Sequence, residues 1–331
     1  MKLKFLSCLL FVMPVVFAVK AQRFSEGLQL MQQNQLFAAA EEWKKVPVTD
    51  AHYTDALLGI TLVYLENEHT DSALVAFQQF YKAAPDPNPY LYALWDTELF
   101  YYTDINKREA VRAFMQQLIN APNTPLSLKA MALTMMGNTW QYENRMARAD
   151  SFFNQIGDLR NYSTVGSFDN TSSSGLNKKM DALDHPEKDY VFTNNINAPV
   201  KWFDIPDARN DRWLDYEFHF DINNAIVFAQ SFIQSDADQD LTLLLGVSGS
   251  VKLWINDFLV FSEEEERNTD LDVYAVPVKL QKGNNRILIQ TGSSEISRNN
   301  FMIRFCDVNG KLVSNLTVSY THLTLPTNRE V

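Results

Sequence analysis

Four times in the first half of the chain a small residue is followed, four positions later, by a large aromatic one: Ala39 and Trp43, Ala73 and Phe77, Ala110 and Phe114, Ala149 and Phe153. The pairs recur at intervals of 34, 37 and 39 residues. Residues four apart share one face of a helix. Two helices of about a dozen residues pack antiparallel when a small side chain sits at their closest approach and a large one fills the neighbouring gap. Other positions travel with the pairs: Gly27 in the first copy, Leu57, Ile60 and Tyr64 in the second, Leu94 and Tyr101 in the third, Leu133, Met136, Gly137 and Trp140 in the fourth. From Phe24 to Ile156 there is almost no period-two signal. Pro47, Pro85, Pro87, Pro89, Pro122 and Pro125 punctuate the helices instead. The spacing predicts stacked helical hairpins.

This arrangement resembles the tetratricopeptide repeat, in four copies over about 130 residues. The first two copies keep the 34-residue period, and the later intervals imply inserted loops. The resemblance implies an α-solenoid over residues 22–159 whose concave groove receives a peptide or protein partner. It equally allows a spacer, or a docking surface for the next domain. The stretch PYLYALWDTELFYY crowds six aromatics together. One helix cannot turn them all to the same side. Tyr90, Tyr92, Trp95, Tyr101 and Tyr102 are therefore candidate partner-binding residues, with core packing and domain contact as the competing roles.

After Gly157 the composition shifts to Ser, Thr, Asn and Asp between β-branched and aromatic runs, which places a boundary near Arg160. Leu241, Leu243, Leu245 and Val247 share one face by period two, as do Val251, Leu253 and Ile255, with Lys252 and Trp254 opposite. Asn256 and Asp257 then predict a tight hairpin turn. With YEFHFDI, AIVFAQSFI, VYAVPVKL, RILIQT and FMIRFCDV, about nine short strands are expected over residues 160–317, an antiparallel β-sandwich. VGSFDNTSSSG, GVSGSVKLWINDFLVFSEEEE, VPVKLQKGNNRILIQTG and NNFMIRFCDVNGK resemble galactose-binding-like jelly rolls of secreted bacterial proteins. Gly246, Gly249 and Gly283 would serve turns. Many such modules bind sugars and others pack inside larger enzymes, so the resemblance makes carbohydrate a possible ligand. Trp254, Asn256, Asp257, Trp202, Trp213 and Tyr274 are the candidate contacts, and a half-buried structural role competes at each. The fold class is multidomain, α then β: a tetratricopeptide-like α-solenoid followed by an antiparallel β-sandwich of jelly-roll type.

SEEEERNTDLD puts Glu263, Glu264, Glu265, Glu266, Asp270 and Asp272 in an expected loop. Oxygen ligands at this density suit Ca²⁺, with Glu263, Glu265, Asp270 and Asp272 as the candidates. The spacing lacks the fixed Gly and terminal Glu of the usual calcium loop, which favours a solvated acidic segment. The five histidines are scattered without metal-ligand spacing, and there is no GxSxG, phosphate loop or GxGxxG. No enzyme site and no cofactor are expected. A net charge of −11 without any clustered basic run argues against nucleic acid as a partner.

Residues 1–21 read as a signal peptide: Lys2 and Lys4, an apolar stretch from Phe5 to Ala18, then Val19 and Ala21. The apolar stretch is shorter than the about 20 residues of a membrane span, and no later segment competes, so no transmembrane segment is expected. The expected location is periplasmic or cell-surface. Cys306 is the one thiol left after processing, a small hydrophobe within a strand. The ending VSYTHLTLPTNREV, residues 318–331, resembles a translated transposase adapter from a sequencing library. It is expected to lack packing of its own. The leading functional expectation is a non-catalytic exported binding or scaffold protein. The alternatives are the front half of a longer secreted enzyme with a transglutaminase-like or other hydrolase domain, and a glycan-binding surface protein.

Overall fold

A computed structural model of the protein describes residues 22–205, 212–296, 298–313 and 316–318. The expected leader and most of the adapter-like tail lie outside them. The chain divides into two compact units, Met1–Thr124 and Pro125–Val331. The expected limit at 159/160 falls inside the second unit, so the last helical pair is grouped with the β-strands.

In the first unit, α1 (22–32), α2 (Leu36–Trp43), α3 (Tyr53–Glu66), α4 (Thr70–Ala83), α5 (Asn88–Ala93) and α6 (Ile105–Asn120) follow in order. The turns α1/α2 and α3/α4 pass through Asn34 and Glu68 at φ of 59° and 62°, the left-handed conformation that ends a helix sharply. Each lies five residues before the small member of its pair. Trp43, Ala39 and Ala73 are fully or almost fully buried. A Cβ built on Gly27 or Gly59 would come within 2.2 and 2.7 Å of the Trp43 ring, so the indole fills the space those glycines leave. The Trp43 indole N–H donates to the Phe24 carbonyl at 3.1 Å. Phe77, Phe100 and Phe114 form a second knot, with ring centroids 6.0–6.2 Å apart.

The third hairpin departs from the expected pattern. With Pro89 in its first turn, α5 is only six residues long, and a single 3-10 turn, Glu98–Phe100, follows it. PYLYALWDTELFYY is therefore not one helix. Asp104 then caps α6 by accepting from the amides of Asn106 and Lys107.

The second unit opens on α7 (Leu126–Tyr142) and α8 (Met146–Phe153), turning through Asn144 at φ 59°. Here Gly137 faces Phe153, with a built Cβ 2.3 Å from the ring. The strands are β1 (Ser163–Asp169), β2 (Phe192–Thr193), β3 (Pro199–Val200), β4 (Phe203–Asp204), β5 (Leu214–Asp215), β6 (Ala225–Ser235), β7 (Gln239–Ile255), β8 (Phe258–Asn268), β9 (Tyr274–Leu280), β10 (Gly283–Ser293), β11 (Asn300–Cys306) and β12 (Thr317–Val318). One curled antiparallel sheet runs β4-β1-β6-β10-β7-β11-β5, with β8 and β9 also on β7 and β12 on β6. β7 makes the curl. Its first half pairs with β9 and β11, and its second half with β8 and β10. All seven apolar residues assigned to its inner face by period two, Leu241 to Ile255, lie in the main core.

The expected break inside β7 does not occur. Gly246 and Gly249 lie within the strand rather than in turns. A side chain on Gly246 would strike the Trp213 ring at 2.6 Å, and Gly249, at φ 120°, sits where the β7/β8 register shifts. YEFHFDI is also not a strand but a 3-10 turn, Tyr216–Phe218, initiated by the Asp215 carboxylate accepting from the Glu217 amide. Val318, the first residue of the adapter-like tail, pairs with Ile233.

A smaller core lies on the other face of β6 and β10, where Phe228 and Leu288 of the sheet cluster with Phe192 and Trp202 of the covering segment, residues 170–202. Buried polar side chains of the sheet grip that cover by its carbonyls: Gln230 donates to Pro186, Gln290 to Leu176, and Arg286 to Ala182 and Leu183, at 2.8–3.1 Å. Arg304 of β11 does the same for the helices. It ion-pairs with Asp272 at 2.8 Å, both side chains 1% exposed, and donates to the carbonyls of Ile156 (2.9 Å) and Leu126 (3.5 Å).

Candidate functional site

Of the six sugar candidates, Trp202 is buried, Asp257 is exposed and the other four are partly buried. Trp202 is buried, its indole N–H given to the His185 carbonyl at 2.8 Å and its ring edge-on to Phe192. Trp254 is half-buried against the smaller core. Trp213 lies against Gly246, and Tyr274 packs on Phe261 with burial pushing its phenol pKa up. Asn256 and Asp257 form the expected turn, both at positive φ. The Asn256 amide is spent on Asn285 and on the Arg286 amide, at 2.8 and 2.9 Å, while Asp257 accepts from the Arg286 guanidinium at 3.1 Å. Arg286, which sequence reasoning passed over inside RILIQT, organises this corner. Its isolation in an otherwise apolar run was the available signal.

The acidic run is not a loop, because Glu263 to Glu266 lie on β8, which closes one edge of the sheet. Glu265 pairs with Arg267, Glu264 accepts from Asn177, and Glu266 accepts from the amides of Ser294, Glu295 and Ile296. Asp272 is committed to Arg304, and the Asp270 carbonyl lies against Gly246. Among the described residues no group of three or more His, Cys, Asp and Glu side chains converges as a cation requires.

Of the partner candidates, Tyr90, Tyr92 and Tyr101 are exposed, while Trp95 packs on Phe100 and the Tyr102 carbonyl accepts from Arg108. They line neither of two hollows in the first unit. One hollow, about 460 Å³, lies between α2, α3 and α4 over Trp43, Ile60 and Val75. Its rim carries Lys44, whose ammonium pKa is raised by Glu41 and then by Tyr64.

A second, about 620 Å³, is an open groove formed by α1, the start of α2, α3 and the segment after α5. Its apolar floor is Met31, Leu36, Leu62, Leu65 and Leu94. Met31 and Leu62, from two different helices, are 42% and 46% exposed. Glu66, Asp96 and Glu98 stand on the rim, and no basic residue lines it. Behind Glu98, Lys107 is buried with its ammonium 3.3 Å from the Glu98 carbonyl. Burial pulls its pKa down against the charges of Asp71 and Glu98. Thr97, whose hydroxyl donates to the Leu94 carbonyl at 2.6 Å, stands between Asp96 and Glu98. Sequence reasoning missed the groove because its floor comes from three separate hairpins.

Neither a family model nor a curated protein sequence matches the chain. Among solved structures it is similar to a β-glucosidase from Kluyveromyces marxianus (18% identity, 33% of this chain, 14% of that chain, TM-score 0.26). Another is an anti-sigma factor domain-containing protein (12% identity, 49% and 46% of the two chains, TM-score 0.29). A third is a family 35 carbohydrate binding module from an environmental isolate (15% identity, 30% and 76%, TM-score 0.23). The chain thus spans about one seventh of the glucosidase it matches.

Proposed function

We propose that the chain is a non-catalytic exported binding protein whose helical unit, built on tetratricopeptide-like hairpins, takes a peptide segment of a partner protein. The observation that carries this reading is the groove floor: Met31 and Leu62 open into the same concavity from different helices. Apolar side chains left exposed together in a hollow gain most when another chain covers them. The β unit supplies a second contact surface at the β7/β8 hairpin, where Phe258 and Leu259 are 73% and 53% exposed just beyond a turn held by Arg286. Display of a random peptide library against the full chain tests the reading. Selected peptides should lose binding to the Leu62→Arg variant. Binders indifferent to that change, or no enrichment at all, would remove the groove from the function.

A further inference from the structure

We infer that the segment received by the groove of α1, the start of α2, α3 and the post-α5 turn is both apolar and cationic. This inference rests on the peptide-binding reading and adds the partner's chemistry to it. The floor asks for aliphatic side chains, since it offers Leu36, Leu62 and Leu65 and no buried hydrogen-bonding group. The rim fixes the sign of charge. Glu66, Asp96 and Glu98 are all exposed, and among the described residues none of their carboxylates carries an ion pair or hydrogen bond within the protein. Lys107 is buried behind the rim with its ammonium on the Glu98 carbonyl and feels the Glu98 charge, one cation set against three rim carboxylates. An acidic or neutral segment would leave three carboxylates facing like charge or an apolar surface. A segment bearing Lys or Arg on the side away from its apolar stripe would pair them in solvent, where each pair adds modestly and chiefly selects the partner. A second copy of this chain fits poorly, because its net charge is −11.

Three labelled 14-residue amphipathic peptides with one pattern of leucines, their polar positions all Lys, all Gln or all Glu, separate the possibilities when titrated into the full chain. The Leu/Lys peptide should bind with a stoichiometry of one, and the Leu/Glu peptide should not bind. The Glu66→Gln/Asp96→Asn/Glu98→Gln variant should bind the Leu/Lys peptide about tenfold more weakly at low salt, and 0.5 M salt should cost the wild type about as much. Thermal melting of the variant, expected unchanged, shows that it folds. Neutralising Glu263, Glu264 and Glu265 on β8 removes as much charge elsewhere and should leave the affinity within about twofold. Equal weakening by both triple variants would mean unspecific attraction and overturn the inference. Equal binding of the Leu/Lys and Leu/Gln peptides, both abolished by Leu62→Arg, would overturn the charge preference while leaving the groove as a peptide site. Failure of all three peptides would overturn both.

Discussion

Arg304 is the residue on which the second unit turns. A guanidinium taken out of water must satisfy its N–H groups, and here one carboxylate and two main-chain carbonyls do so. Arg304→Met strands the Asp272 carboxylate in the interior and is expected to cost about 3–5 kcal/mol in urea unfolding. The double change with Asp272→Leu should recover most of that loss. An unchanged midpoint for the single variant would contradict this account. Glu266 gives a pH-dependent counterpart. Burial pushes its carboxyl pKa up, but the amides of Ser294, Glu295 and Ile296 and the Ser294 hydroxyl outweigh burial and hold it below the ordinary glutamate value. A lowered folded pKa means that the ionised form adds stability above the ordinary range, and that this stability fades as pH falls through the folded value. The stability gap between wild type and Glu266→Gln should therefore narrow between about pH 6 and about pH 3. A gap independent of pH would rule out the ionic origin.

At the scale of elements, the small-and-large pairs can be tested by sign. Replacing a mid-helix glycine by alanine ordinarily stabilises by about 1 kcal/mol. At Gly137 the new methyl would meet the Phe153 ring, and overpacking of that kind costs about 1–3 kcal/mol. Gly137→Ala should therefore lower the melting temperature, and Phe153→Leu in the same chain should relieve part of the loss. Much of this level was legible in the sequence. Ala39 and Trp43, and the alternating Leu241 to Ile255, depend on one periodicity each, and both pack inward as read. What stayed hidden depends on more than one element. Gly246 reads as a turn residue until Trp213 is known to lie over it, and YEFHFDI alternates like a strand until Asp215 caps it into a 3-10 turn. Asn256 and Asp257 were found as a turn by dipeptide chemistry, but whether their side chains were free depended on Arg286, 29 or 30 positions away. The groove, assembled from residues 31 to 98, carries no local signature at all.

At the scale of the whole molecule, composition divides the chain near residue 160, whereas compactness divides it at Thr124 and Pro125. The difference is physical. Composition follows local conformation, while α7 and α8 are tied to the sheet through Arg304, which donates to carbonyls at both ends of the helical pair. A fragment of residues 125–318 should accordingly resist limited proteolysis, and one of residues 160–318 should be cut rapidly. Equal resistance would show the helices dispensable to the sheet. The six-residue α5 has a different kind of consequence, for how such a chain can grow in evolution. Copying a 34-residue block at the α2/α3 joint repeats a surface that already matches itself, the left-handed turn and the aromatic pair included. Copying one across α5 would present a full-length helix to a neighbour shaped for a stub. Lengthening by duplication is open on one side of that stub and closed on the other, so natural relatives with more or fewer hairpins should differ ahead of residue 85.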